Sequence, residues 1–220
     1  SDSNNLVFTG GGWVVNEERL SRRAKIIDAH YHIFPRLGSQ QRGIDSELGL
    51  KFWQYHSREY NNWWRVEDGI HVDHEFLQFN SNNLTDMPNV NFRLSNYGKA
   101  KITVDEVEYE MQFYTPNLVN NELPPERGIG EMNLAGVDMA VLQADHVYGD
   151  LSDFYGQAMR DYPGRFIGLA QIWEPEADDE TRLIEMERSV VEQGNRGLYF
   201  SVESLTVMDK NVSLNDSMFK

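Results

Sequence analysis

The chain has 220 residues, 40% hydrophobic and 12% aromatic, which is core material for one globular domain, or one with an insertion, at roughly 100–200 residues per domain. Its 35 acidic and 20 basic residues leave a net charge of −15, a field that repels phosphate and argues against nucleic acid or polybasic membrane docking. There is no cysteine, so disulfides, thiolate zinc sites and cysteine nucleophiles are excluded and any metal must be held by His, Asp or Glu.

In chain order, residues 1–24 read as an amino-terminal extension. The short apolar stretch 6–15 is broken by Gly10, Gly11 and Gly12 and lacks the basic flank of a secretory signal. The glycines lack the lysine of a phosphate loop and read as a turn. No window approaches about 18 consecutive apolar residues, so a soluble, cytoplasmic protein without a membrane partner is expected. Residues 25–29, 139–143, 166–172 and 197–200 are near-continuous apolar runs, the pattern of parallel strands covered on both faces. Helical patterns separate them. One opens at Pro124 and Pro125 and ends at Gly136; a second is capped by Ser152 and stops before Pro163; a third opens at Asp178 or Asp179 and ends at Gly194. Strand–helix–strand units repeated in this way predict an α/β fold, either a barrel or a doubly wound sheet.

Residues 37–120 break the rhythm and are too long for a connection. Their second part predicts an antiparallel meander over 90–94, 100–104 and 107–113, with turns at 96–98 and 105–106. This stretch reads as an insertion after the first strand that caps one end of the sheet, or as an extension without chemistry.

The chemistry concentrates in Asp28-Ala29-His30-Tyr31-His32. A spacing of two on a strand puts both imidazoles on one face, and at the carboxyl end of a barrel strand that face looks into the mouth where substrates bind, so both are expected to project into a shared cavity. Two converging imidazoles begin a Zn²⁺, Mn²⁺ or Fe²⁺ site. The alternative is two partly buried histidines held by backbone hydrogen bonds; the strand context and Asp28 weigh toward metal.

These residues resemble the D-x-H-x-H motif of the amidohydrolase superfamily, and most closely its amidohydrolase-related branch, which includes aminocarboxymuconate-semialdehyde decarboxylase. Residues 132–142, Met-Asn-Leu-Ala-Gly-Val-Asp-Met-Ala-Val-Leu, are similar to the family's segment between first helix and second strand, and 162–170, Tyr-Pro-Gly-Arg-Phe-Ile-Gly-Leu-Ala, to its approach to the third. The resemblance implies a distorted (β/α)₈ TIM-like barrel with one divalent metal, zinc first, with manganese or iron as alternatives. His30 and His32 are then the first two ligands, and Asp28 is structural or stands behind them to orient an imidazole. The family takes a further His from about the fifth strand, an Asp from the eighth, and often another His near the sixth as acid or base. Here the later histidines are His56, His71, His74 and His146, all before the fourth strand. Such a barrel needs about 250 residues. Residues 25–36 and 121–220 are therefore expected to be its first four βα units, the amino-terminal half of a longer enzyme whose next helix begins at 213–220; a half-barrel completed by association is the rival. Such a half is expected to hold metal weakly, and a homo-oligomer, a dimer, is the expected assembly.

The activity implied is hydrolysis of a small organic substrate, carboxylate-bearing and cyclic or aromatic, by a metal-activated water. A non-oxidative decarboxylase of an aromatic or unsaturated acid is the alternative, and a non-catalytic barrel scaffold the second; the retained His30 and His32 argue against the last. His146, after the second strand beside Asp145, is a candidate to bind a substrate carboxylate or oxygen, or a surface histidine. Trp173, after the third strand, is a candidate to stack on a planar substrate, or packing under the cap. Trp53, Trp63, Trp64, Tyr55 and Tyr60 read as core or lid interface, and His71 and His74 as a solvated loop.

Overall fold

The computed structural model describes residues 6–9, 12–15, 25–38, 46–81 and 84–201. Strands β1 (Leu6–Thr9) and β2 (Gly12–Val15) pair antiparallel in the amino-terminal extension, with Leu6 opposite Val15. Strand β3 (Ile27–Tyr31) follows. The 37–120 stretch then supplies helix α1 (Ser46–Ser57) and five strands, β4 (Asn62–Arg65), β5 (His71–Asp73), β6 (Arg93–Ser95), β7 (Lys99–Val104) and β8 (Val107–Gln112). These five form one antiparallel sheet in the order β5-β4-β8-β7-β6, so the expected meander is there, extended by a hairpin that the sequence pattern did not disclose. Its turns follow from left-handed backbone. Asp105 and Glu106 stand at φ +49° and +65°, the two-residue hairpin that suits twisted strands, and Val104 pairs with Val107. Gly98 stands at φ +72°, and a Cβ there would lie 2.6 Å from the Tyr114 carbonyl, so that turn admits only glycine. One face of the sheet buries Ala100, Ile102 and Met111. The other carries Arg93, Lys99 and Lys101 against Glu108 and Glu110.

The rest of the chain alternates helix and strand: α2 (Pro125–Ala135), β9 (Met139–Leu142), α3 (Ser152–Asp161), β10 (Phe166–Gln171), α4 (Glu180–Val191) and β11 (Gly197–Tyr199). Local chemistry sets the helix ends. Pro124 caps α2 and Gly136 closes it at φ +70°. The Asp179 carboxylate accepts the Thr181 amide at the start of α4. Ser152, expected as a cap, is instead the first residue of α3; the Asp150 carboxylate two residues earlier accepts its amide at 2.9 Å. Strands β3, β9, β10 and β11 lie side by side in that order, all parallel.

The fold is thus mixed α/β, with a parallel and an antiparallel sheet. The described residues form an open four-stranded sheet and not a closed barrel. Openness explains a second departure from expectation: β3 and β11, read as fully buried, are edges, and Ile27 and Leu198 are about half exposed, at 50% and 47%. The helix expected at 213–220, with Gly10 and Gly11, lies outside the described residues. Among the described residues no helix is long and apolar enough to cross a membrane.

Helix α1 positions the insertion over the carboxyl ends of the parallel strands. Its buried Phe52 meets the Trp173 ring edge-on at 5.8 Å, and its buried Trp53 meets Tyr148 at 5.6 Å. Trp53, Trp63 and Tyr55 are core, as expected of the aromatic cluster, whereas Trp64 and Tyr60 are exposed.

Candidate functional site

Four chain segments meet at the carboxyl end of the parallel sheet. They are the end of β3 with His30 and His32, the 3₁₀ turn His146–Tyr148 after β9, the 3₁₀ turn Glu174–Glu176 after β10, and Ser201 after β11. Strand alternation separates their roles. Tyr31 points to the helical side, where its hydroxyl donates to Glu131 Oε2 at 3.1 Å. His30 and His32 share the opposite face, with Nε2 atoms 2.8 Å apart and rings edge to face.

The state of His32 follows from its partner. Its Nδ1 lies 2.7 Å from the Gln143 carbonyl, which can only accept, so Nδ1 carries the proton and Nε2 is a lone pair. Burial holds the His32 pKa below the ordinary imidazole value and His30 adds to this; the Gln143 bond and the charges of Asp145 and Asp28 oppose it without reversing it. His32 is therefore neutral at pH 7, as a metal ligand must be. Its ring stacks on Tyr148 at 5.3 Å and 22°, and Tyr148 packs on Phe34 and Trp53.

The predicted site residues divide as follows. His30 and His32 converge, but His30 is exposed on the sheet edge. Two clefts stand out among the described residues, and neither has the pair in its wall. Asp28 accepts the backbone amide of His30 at 3.0 Å and does not touch an imidazole; the Gln143 carbonyl is what orients His32. His146 is not a surface histidine. It is 6% exposed, its Nε2 bonds Glu174 Oε2, and Trp173 meets its ring edge-on at 4.8 Å. Trp173 is itself packed between His146 and Phe52. His71 begins strand β5, not a loop, and bonds Asn62; His74 stacks on Phe76; both are exposed and apart from the pair.

Two residues escaped the sequence reading. Glu174 has no solvent exposure, and its Oε1 accepts the Ser201 amide at 2.7 Å. Burial raises its pKa, but the hydrogen bonds from His146 and the Ser201 amide outweigh that and hold it below the usual carboxylate value. Its place two residues past an apolar strand, in Trp173-Glu174-Pro175, was the available signal. Gln143 also went unmarked: its carbonyl accepts both His32 Nδ1 and the Tyr155 hydroxyl, at 2.7 and 2.9 Å, and its amide donates to the Ala29 carbonyl at 2.7 Å.

Whether the pair suits a metal is a question of donors and spacing. His32 Nε2, its tautomer fixed from behind, offers a lone pair; at 2.8 Å His30 Nε2 donates its proton to it, so His30 becomes the second donor once that proton moves to its Nδ1. Two ligands about 2.0–2.1 Å from a tetrahedral zinc stand about 3.3 Å apart, so binding opens the pair by about half an ångström. Among the described residues no third His, Asp or Glu joins them. They fit two positions of a metal shell. Compared with models of known protein families and with curated proteins, the sequence finds no match.

Proposed function

We propose that the protein is a metal-dependent hydrolase of the amidohydrolase type, in which His30 and His32 bind one divalent metal, zinc first, with the remaining ligands supplied from outside the described residues. The observation that carries this reading is the convergence of the two Nε2 atoms at 2.8 Å at the carboxyl end of a parallel strand, with His32 Nδ1 donating to the Gln143 carbonyl. The sequential parallel order β3-β9-β10-β11 supports the finer proposal that these strands are the first four of a (β/α)₈ barrel, since each barrel strand pairs with its successor.

The chain's own residues would do four things. His30 and His32 hold the ion, the Gln143 carbonyl fixes the donor atom of His32, Tyr148 walls the His32 side of the site, and Trp53 of the insertion backs Tyr148. The aromatic wall suits a planar organic substrate, a small cyclic or aromatic carboxylate derivative. The bound metal would lower the pKa of a water toward about 7.

The test is zinc titration against a chromophoric chelator, followed by hydrolysis of the lactone dihydrocoumarin. Zinc binding and lactone opening are expected in the wild type, and His30→Ala and His32→Ala should each weaken both. Equal zinc affinity in wild type and both variants would refute the ligand assignment. Zinc-dependent carbon dioxide release from an aromatic acid, without lactone opening, would replace the hydrolase by the decarboxylase.

A further inference from the structure

Glu174 is the only carboxylate buried among the described residues, and it faces the one buried imidazole, His146. Removing a carboxylate from water costs several kcal/mol unless hydrogen bonds satisfy it, and such a pair is weak as a source of stability. In open α/β sheets ligands bind outside the carboxyl ends of the strands, which is where this buried pair sits. His146 Nε2 meets Glu174 on Oε2 and the Ser201 amide meets it on Oε1. An ionised carboxylate only accepts, so Nε2 carries the proton of that bond and the neutral ring has its lone pair on Nδ1.

Nδ1 is open. No hydrogen bond reaches it among the described residues, and it is not among their sealed, unpartnered polar atoms, which are Trp63 Nε1 and Asn195 Oδ1. His146 lines a cleft of about 50 Å³ together with Asp150, Gln171, Trp173 and Arg182. That volume holds one or two waters, or the hydroxyl end of a larger molecule, at about 30 Å³ per water. Three contacts fix the ring against turning: Glu174 on Nε2, the Trp173 edge, and the 3₁₀ turn capped by the Asp145 carboxylate on the His146 amide.

We propose that His146 and Glu174 form an acid–base dyad, in which Glu174 holds the Nε2–H tautomer and His146 Nδ1 takes the proton of a water or a hydroxyl group seated in the cleft. The O–H bond breaks with its electron pair left on oxygen, the proton moves to Nδ1, and the imidazolium faces the Glu174 carboxylate. Return of the proton to the product restores the starting state. His146 is the acid–base residue and Glu174 its positioning residue. The dyad invokes no metal, so it stands or falls separately from the His30–His32 reading.

The experiment is long-range ¹H–¹⁵N spectroscopy of the imidazoles in the ¹⁵N-labelled full chain at pH 8, with His146 assigned by its loss in His146→Gln. The wild type should show His146 as the Nε2–H tautomer, with Nδ1 displaced upfield by an accepted hydrogen bond from water. Glu174→Leu removes the acceptor of the Nε2–H and should move the ring toward a tautomer mixture. An Nδ1–H tautomer, a permanent imidazolium, or an Nδ1 without a hydrogen bond in the wild type would each overturn the proposal, whether or not any variant folds. An unchanged tautomer in folded Glu174→Leu would overturn the role of Glu174.

Discussion

Replacing His146 and Glu174 singly and together tests how the carboxyl end of the sheet is held. Glu174→Leu leaves the His146 Nε2–H and the Ser201 amide without their acceptor in a region with almost no solvent. His146→Leu leaves a buried carboxylate with one donor fewer. A buried charge left without its partner costs about 3–5 kcal/mol, so His146→Leu should lose about that much, and the two neutral donors stranded by Glu174→Leu should cost about 1–3 kcal/mol each. In the double variant no buried charge remains, and the main loss is the acceptor of the Ser201 amide, about 1–3 kcal/mol. The double variant should therefore be more stable than either single one. Urea unfolding with a common m-value is the assay. Losses that add across the two sites, or single losses below about 1 kcal/mol as for an exposed ion pair, would refute the reasoning.

Three further outcomes follow from the same packing. Gly168→Ala places a Cβ 2.0 Å from Asn195 Oδ1, and the Asn195 side chain is held by Ser189 Oγ at 2.9 Å, so about 2–5 kcal/mol should be lost; a thermal melt unchanged from wild type would show the contact is not tight. Tyr155→Phe removes one of two donors on the Gln143 carbonyl and should cost about 0.5–1.5 kcal/mol in urea unfolding while His32 keeps its Nδ1–H signal. Because Glu174 is held below the usual carboxylate pKa, the unfolded chain takes up its proton first as the solution is acidified. Its contribution is complete above about pH 4.3 and is lost as the pH falls through the folded value, so stability measured from pH 6 to 3 should fall more steeply in wild type than in Glu174→Gln.

The parallel strands and their helices were legible because their signals are local: apolar runs, Pro124 and Pro125 at a start, Gly136 at an end. The meander was legible from alternation in 107–113 and from its turn residues. Strands β4 and β5 were not, since Asn62-Trp63-Trp64-Arg65 and His71-Val72-Asp73 are short and owe their form to pairing with β8 and with each other. The exposure of β3 was not legible either: Ile26 and Ile27 look like core, and whether a strand is central or an edge is a property of the whole sheet. At the site, H-x-H gave the shared face of His30 and His32, because period two is a backbone property. The role of Gln143, through its main-chain carbonyl, leaves no pattern in sequence, and that of Glu174 rests on a partner 28 residues away, so its place just past an apolar strand marks the position but not the partner.

The central claim, that His30 and His32 are ligands of one metal, is tested most directly by X-ray absorption of the zinc-loaded protein. Two imidazole nitrogens at about 2.0–2.1 Å are predicted, with one lost in His32→Ala. A shell without histidine scattering, or one that is the same in wild type and His32→Ala, would contradict the account.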